Sequence, residues 1–333
     1  MKILSRPKGN AEEYGRWSVN PYLGCPNDCQ YCYLKKGPGA KVLGGDKPTL
    51  KSGVVSEEHA YHLAMAEILE NREQIVRDGG LFVTFTSDPC IPETRELCFH
   101  IAADAIDHGV PVMMLTKNAA FYQFDTLEHM IKEGPKMQLS DDERKLMVQE
   151  GMLFMTWLGD LRTKRVKQSV AFGWTLTGHD ALESNAHSNA YRLQTMSRMT
   201  QDGFKTWASI EPVITFDASL RMIEQALEAG CRHFKIGLMT ERTRVCRKGF
   251  SLGGHDFAPY DMAECCQFVE YVMALTGRYG ATVYWKQSFA DYLEGPSKKD
   301  PQPVHGMTAR EFLSQWPHSV GKDWSVFNNN IKV

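Results

Sequence analysis

Short apolar runs and longer helical patterns alternate along most of the chain. Leu81-Phe82-Val83-Thr84-Phe85-Thr86, announced by Gly79-Gly80, is one such run. Bounded, β-rich segments of this length read as buried strands. The same reading places strands at 17–23, 110–115, 169–175, 204–210 and 233–237, and a shorter last one at 282–285. Between them lie helical patterns at 57–77, 92–108, 121–131, 189–201, 218–229 and 259–278. In the first of these, Ala60, Leu63, Ala64, Ile68 and Leu69 form an apolar stripe.

Strand and helix in alternation imply right-handed βαβ units and a parallel sheet. The expected fold class is therefore α/β, a partial (β/α)6 barrel over 1–290, with a doubly wound sheet as the competing architecture. Both place their chemistry at the carboxyl ends of strands. Three stretches break the rhythm. An insertion near 134–168 holds a helix expected at 141–155, and 240–260 reads as a mobile loop over the site. The Pro- and polar-rich extension 291–333 is expected to wrap the barrel.

Composition narrows the class only a little. A formal net charge of −2 gives no global mark of a polyanion binder. No apolar run approaches the ~20 residues that span a bilayer, and the first residues hold no signal-like stretch, so a cytoplasmic protein without a membrane partner is expected. Nine cysteines, an odd number with three inside eight residues, fit reduced thiols with a metal role better than a disulfide scaffold.

Those three stand in Gly24-Cys25-Pro26-Asn27-Asp28-Cys29-Gln30-Tyr31-Cys32-Tyr33. The C-x3-C-x2-C spacing can ligate three corners of a cubane and leave one iron open, where most [4Fe–4S] clusters take four cysteines. Zinc is the rival metal, but its sites usually add a second Cys or His pair, and Cys90, Cys98, Cys231, Cys246 and Cys265-Cys266 do not supply one at that spacing.

With Tyr31 at the aromatic position, the motif resembles the signature of the radical S-adenosylmethionine (SAM) superfamily. The resemblance implies a radical-SAM barrel in which Cys25, Cys29 and Cys32 hold the cluster and SAM chelates the open iron. One electron from an external donor such as flavodoxin or ferredoxin then cleaves SAM to a 5′-deoxyadenosyl radical that takes a hydrogen from substrate. It further implies that Tyr31 lies on the adenine side and that Ser87 and Asp88, after the second strand, accept from the SAM amino group. Arg192, paired with Glu183, would fork onto the SAM carboxylate, and Thr175 or Thr177 would meet the ribose. Glu211, in Ile210-Glu211-Pro212 at the end of the fifth strand, points to the barrel mouth as a SAM or substrate residue. Lys117, Lys235 and Lys286 sit at or near strand ends, Lys286 being the better substrate residue because Tyr284 and Trp285 flank it.

The wider text, Asn-Pro-Tyr-Leu-Gly-Cys with Thr-Ser-Asp-Pro after the second strand, is similar to spore photoproduct lyase-like proteins and to radical-SAM proteins of phages. That likeness implies lyase or isomerase chemistry on a thymine-derived or hypermodified base in DNA, with Cys90 as a hydrogen donor. Basic clusters at 161–167 and 242–248 would meet the flanking phosphates. A radical-SAM enzyme acting on a peptide or small metabolite is the alternative. An Fe–S sensor that binds DNA without catalysis is the alternative of another class.

Overall fold

The structure, a computed structural model, describes residues 2–35, 45–122, 164–239, 250–294 and 307–314. In chain order its elements are β1 Leu4–Ser5, β2 Ser18–Val19, β3 Tyr22–Leu23, β4 Thr49–Leu50, α1 Glu57–Glu70, α2 Arg72–Arg77, β5 Leu81–Val83, α3 Arg95–Asp107 and β6 Val112–Thr116. There follow α4 Lys164–Ser169, β7 Val170–Thr175, α5 Asn189–Gln201, β8 Lys205–Val213, α6 Phe216–Glu228 and β9 His233–Leu238. The last are β10 Phe250–Leu252, β11 His255–Phe257, α7 Met262–Arg278, β12 Thr282–Trp285, α8 Gln287–Leu293 and α9 Ala309–Ser314.

One sheet organises them, in the order β1-β2-β5-β6-β7-β8-β9-β12. Every pair is parallel except the antiparallel edge β1–β2. Sequential strands therefore lie side by side, each joined by a helix-bearing crossover, which is the partial barrel rather than the doubly wound alternative. Both faces of these strands are covered. All six residues of β7 are buried, which is why it reads as an unbroken apolar run. Inside the curve, Phe82, Met113, Ala171 and Trp207 pack in a separate cluster under Tyr14. Outside it, the strands pack against the helices in one large core.

The segment before β2 fills the gap between the first and last strands. Glu13 Oε1 accepts from Gln287 N at 2.8 Å, just after β12, and from Tyr284 Oη at 3.3 Å. Lys235 Nζ donates to the Glu13 carbonyl. Tyr14 turns its ring into the barrel, 5.8 Å from Phe82 and 6.1 Å from Trp207.

Four expectations are corrected. The expected strand 17–23 divides into β2, in the main sheet, and β3, which pairs antiparallel with β4 outside it. Pro21 lies between them and has no N–H to give a continuing ladder. The expected helix 57–77 breaks at Asn71, whose side chain donates to Glu67 O at 2.8 Å and competes with the backbone. Within 240–260, of which 240–249 lie outside the described residues, the described part holds a hairpin, β10–β11, where a loop is expected. Its Gly253-Gly254 turn has φ of +55° and +79°, the left-handed pair a two-residue hairpin needs. The expected boundary between barrel and extension, at 290 to 291, falls inside α8.

The helix expected at 141–155, most of that at 121–131, residues 161–163 and 242–248 of the basic clusters, and most of the extension lie outside the described residues. Among the described residues no helix is long and apolar enough to cross a membrane.

Candidate active site

The three motif cysteines lie on the loop after β3, and backbone contacts hold that loop at the carboxyl ends of the strands. Gly24 N donates to Thr86 O at 3.0 Å and Cys25 N to Gly45 O at 2.9 Å. Gly24 has φ of +93°, and a Cβ there would stand 2.5 Å from the Lys47 carbonyl, so the residue before the first cysteine has to be glycine. From the other side the segment after β7 grips the loop. Gln30 N donates to Leu182 O at 2.9 Å, Asn185 Nδ2 to Pro26 O at 3.0 Å, and Ser184 Oγ to Asp28 Oδ2 at 3.0 Å.

Asp88 is the hub between β5, β6 and this loop. Its Oδ1 accepts from Thr116 Oγ1 at 2.6 Å and Cys90 N at 3.0 Å. Its Oδ2 accepts from Asn27 Nδ2 at 2.8 Å and Lys117 N at 2.9 Å. Four donors on one carboxylate fill its acceptor sites. Asp88 therefore lines the cavity with both oxygens engaged, while the buried Ser87 Oγ beside it meets no protein partner.

A cavity of 480 Å³ opens at the barrel mouth. Cys25, Cys29, Cys32 and Tyr31 line one part of it, with Ser87, Asp88, Lys117 and Thr175 from neighbouring strand ends. Tyr14, Phe85, Ser209, Glu211 and Lys286 line the rest. Burial pushes the Cys25 thiol up to about 12, with Asp88 adding to the shift, and raises Cys29 as well. Free of metal these thiols hold their protons, so metal loading must release them. Burial pulls Lys117 down, but Cys29 and Glu183 more than offset it and its net shift is upward. Its Nζ lies 5.4 Å from the centre of the Tyr31 ring.

The remaining residues singled out from sequence divide by place. Glu183 and Arg192 come together, both side chains fully buried, with Arg192 Nη2 2.7 Å from Glu183 Oε2. Arg192 Nη1 donates to Thr175 O at 2.8 Å, and Tyr31 Oη donates to Glu183. Neither Glu183 nor Arg192 lines the cavity: they form a strut behind Tyr31, so the guanidinium expected to fork onto SAM spends both terminal nitrogens on the protein. Thr177 is likewise buried, its N–H bound to Asn189 Oδ1 at 3.0 Å. Cys90 has no exposed surface, lines no part of the cavity, and burial raises its thiol far above the usual range. A hydrogen donor to a molecule in the cavity has to reach it, and Cys90 is held away in the core.

Glu211 and Lys286 meet across the strand between them. Lys286 Nζ stands 2.7 Å from both Glu211 oxygens and 3.5 Å from Glu13 Oε2. Tyr14 Oη donates to Glu211 and lies 2.8 Å from Ser209 Oγ. Gly237 on β9 makes the meeting possible: a Cβ there would stand 2.9 Å from Lys286 Cδ and 3.0 Å from Glu211 Cδ. Gly237→Ala is expected to force the buried pair apart and lower stability by about 1–3 kcal/mol, read as a fall in the urea midpoint. Lys235 sits behind this group, over the Tyr14 and Tyr284 rings at 4.5 and 4.8 Å, and burial followed by Lys286 drives it well below its usual range.

Sequence reasoning passed over Glu13 and Tyr14, because a polar stretch before the first strand carries no periodicity. It also passed over Ser209 and Phe85, which read only as strand residues. Of the basic cluster at 161–167, Lys167 is spent locally, donating to Asp202 O.

The donor set is three thiols lining one cavity, which suits a cluster. Among the described residues no three His, Cys, Asp or Glu side chains converge on one point. The three thiols instead ring a shared cavity, and a multi-iron cluster asks for thiolates on separate irons.

No family model matches the sequence, and no curated protein matches it. Solved structures do. A cysteine-to-alanine variant of spore photoproduct lyase matches with a TM-score of 0.51 at 15% identity, over 85% of this chain and 80% of that one. The same lyase complexed with dinucleoside spore photoproduct matches with a TM-score of 0.49 at 14% identity, again over 85% and 80%. Sheet order and the first of these likenesses agree: the chain has the partial-barrel fold found in spore photoproduct lyase.

Proposed function

We propose that the chain is a radical-SAM enzyme acting on a thymine-derived base in DNA. The observation that carries the reading is the grouping of Cys25, Cys29 and Cys32 around one cavity at the strand ends, beside the unpartnered Ser87 hydroxyl. When bound, a [4Fe–4S] cluster on the three thiolates supplies the electron that cleaves SAM, whose 5′-deoxyadenosyl fragment takes a hydrogen atom from the substrate. An external one-electron donor of the flavodoxin or ferredoxin kind has to reduce it.

The chain's own residues divide the remaining work. Ser87 offers the SAM ammonium an acceptor, a role the saturated Asp88 supports by fixing the turn that presents it. Lys117 supplies positive charge for the SAM carboxylate, and Tyr31 walls the site with its hydroxyl tied to Glu183. The Thr175 hydroxyl serves the ribose. Glu183 and Arg192 act as positioning residues, holding Tyr31 and the strand end that carries Thr175. Cys90 takes no part. Support for a DNA base comes from the fold shared with spore photoproduct lyase, from the aromatic floor of the cavity and from the basic run at 242–248, which suits flanking phosphates.

Anaerobic reconstitution with iron and sulfide, followed by dithionite and SAM, tests it through release of 5′-deoxyadenosine. The expected result is a basal signal that rises with thymine-containing single-stranded DNA. A fully loaded cluster that yields no product would overturn the enzyme. A signal indifferent to DNA would overturn the DNA substrate in favour of a peptide or metabolite.

A further inference from the structure

The cysteines, Ser87, Lys117 and Thr175 occupy one part of the cavity wall. Elsewhere the wall is built by Ser209 and Glu211 of β8, Lys286 after β12, Phe85 after β5 and Tyr14 of the segment before β2, and it has a character of its own. Phe85 lines it and stacks on Phe82 at 4.2 Å with ring planes 15° apart. Backbone bonds fix Phe85 in place: its N–H donates to Asn20 Oδ1 at 2.8 Å, and its carbonyl accepts from Tyr33 Oη at 2.6 Å. Tyr14 stands edge-on to it, 6.2 Å away with ring planes 68° apart, so Phe85 is the flat floor and Tyr14 a side wall. Beside this floor stands one carboxylate, Glu211. Its side chain keeps 15% of its surface, whereas that of Lys286, lying against it, keeps 1%. Glu211 is therefore the face of the ion pair that the cavity sees.

The charge around Glu211 limits what it can accept. Lys286 already balances it at 2.7 Å on both oxygens, and Lys235 lies behind, over the Tyr14 ring. A second cation brought to Glu211 would meet Lys286 at close range, and an anion would meet the carboxylate itself. A neutral N–H donor meets neither objection, and the carboxylate has acceptor capacity beyond its bonds to Lys286 and Tyr14. A nucleobase on Phe85 with a neutral N–H at its edge meets these conditions, and in a thymine-type base that group is the imide N–H.

Resting on the enzyme reading above, we infer that Glu211 reads the substrate by accepting the imide N–H of a thymine-type ring laid on Phe85 beside Tyr14. Lys286 and Tyr14 are the positioning residues, and Gly237 is the space that lets them hold the carboxylate. Substituents at C5 leave the imide edge untouched, so the subsite accepts thymine and its modified forms alike. Cytosine offers its exocyclic amino group on that edge instead, so the ring the subsite refuses is an N3-methylated thymine, which has no edge N–H. The imide N–H is engaged in a base-paired duplex, so the base has to arrive unpaired or flipped out.

Equilibrium dialysis with the thymidine dinucleotide and its N3-methylated counterpart tests this in the reconstituted protein with SAM. A hydrogen bond to a charged group is worth enough that the thymidine dinucleotide should bind about tenfold more tightly than its N3-methylated counterpart. Glu211→Gln should lose most of that preference, because the amide gives up one acceptor and turns a donor toward the ring. Equal binding of these two dinucleotides by the unaltered protein would overturn the inference, and needs no variant to fold. Unchanged preference in a folded Glu211→Gln protein would overturn it too, as would tighter binding of an amine-bearing dinucleotide. A missing basal 5′-deoxyadenosine signal in the unaltered protein tells against the enzyme reading instead, so the two failures are distinguishable.

Discussion

Cys29→Ala is expected to give a soluble, folded protein that takes up no stable cluster and releases no 5′-deoxyadenosine. Cys29 is the most buried of the three motif thiols, at 7% exposure, and its loop is held by bonds that do not involve its sulfur. Gly24, Cys25, Gln30 and Asn27 keep their partners on Thr86, Gly45, Leu182 and Asp88 when the thiol is removed. The fold should therefore survive while one of three cluster ligands is lost, and two thiolates do not retain a cubane well. Iron and sulfide content after reconstitution, circular dichroism and the cleavage assay check the three parts separately. Cys231→Ala is the control: this thiol is fully buried by the β9 strand, hydrogen-bonded to His233 O, and outside the cavity, so its loss should leave iron loading intact. Iron loading and cleavage at unaltered levels in the Cys29 variant would sink the cluster assignment.

The second large effect is on stability. Arg192→Met removes one partner of a fully buried ion pair and leaves the Glu183 carboxylate in the interior with the Tyr31 hydroxyl as its hydrogen-bond donor and Lys117 as the remaining nearby cation. Breaking such a pair from one side costs about 3–5 kcal/mol, because an uncompensated charge is stranded away from water. Denaturant unfolding should show it as a large drop in midpoint. Glu183→Gln combined with Arg192→Met should recover a good part of the loss, since no charge is then left behind. The single variant should also load iron poorly. Glu183 pairs with Cys29 through the backbone, and the segment it sits in grips the cysteine loop at Gln30 and Pro26. A single variant as stable as the unaltered protein would mean that the strut carries no load.

The parallel strands were readable because each is a short apolar run buried on both faces, and β12 and α5 match the expected bounds residue for residue. The reading failed where a local residue overrode the pattern: Pro21 cutting a strand, Asn71 cutting a helix, Gly253-Gly254 turning a loop into a hairpin. The last was available in the sequence, since paired glycines between β-rich runs are a hairpin signal. At the site, covalent spacing made the cysteine motif legible. Asp88 and Arg192 were marked as polar groups near strand ends, but sequence does not say whether such a group faces the cavity or is consumed by the protein. Four donors on Asp88 and the strut between Arg192 and Glu183 are decided by tertiary packing. Glu13 and Tyr14 were invisible for the same reason: their partners lie some two hundred residues or more away, at Ser209 and Gln287.

That separation bears on how the molecule is assembled. A bond from Glu13 to the backbone of Gln287 spans 274 residues, so the two edges of the open barrel are sealed by parts synthesised far apart in time. The cysteine loop and its anchor at Thr86 exist early, while the wall formed by Lys286 arrives last. Contacts of such long range are slow to form, because their entropy cost falls due before they return anything. During that interval the nascent chain carries reactive thiols in an unsealed cleft, with the inner faces of Phe82 and Trp207 uncovered by Tyr14. Closing the seam late leaves time for iron and sulfide to enter, at the cost of an exposed, aggregation-prone surface until the last strand docks. An N-terminal fusion that hinders residues 9–14 should accordingly prolong the vulnerable stage more than one placed at the other end.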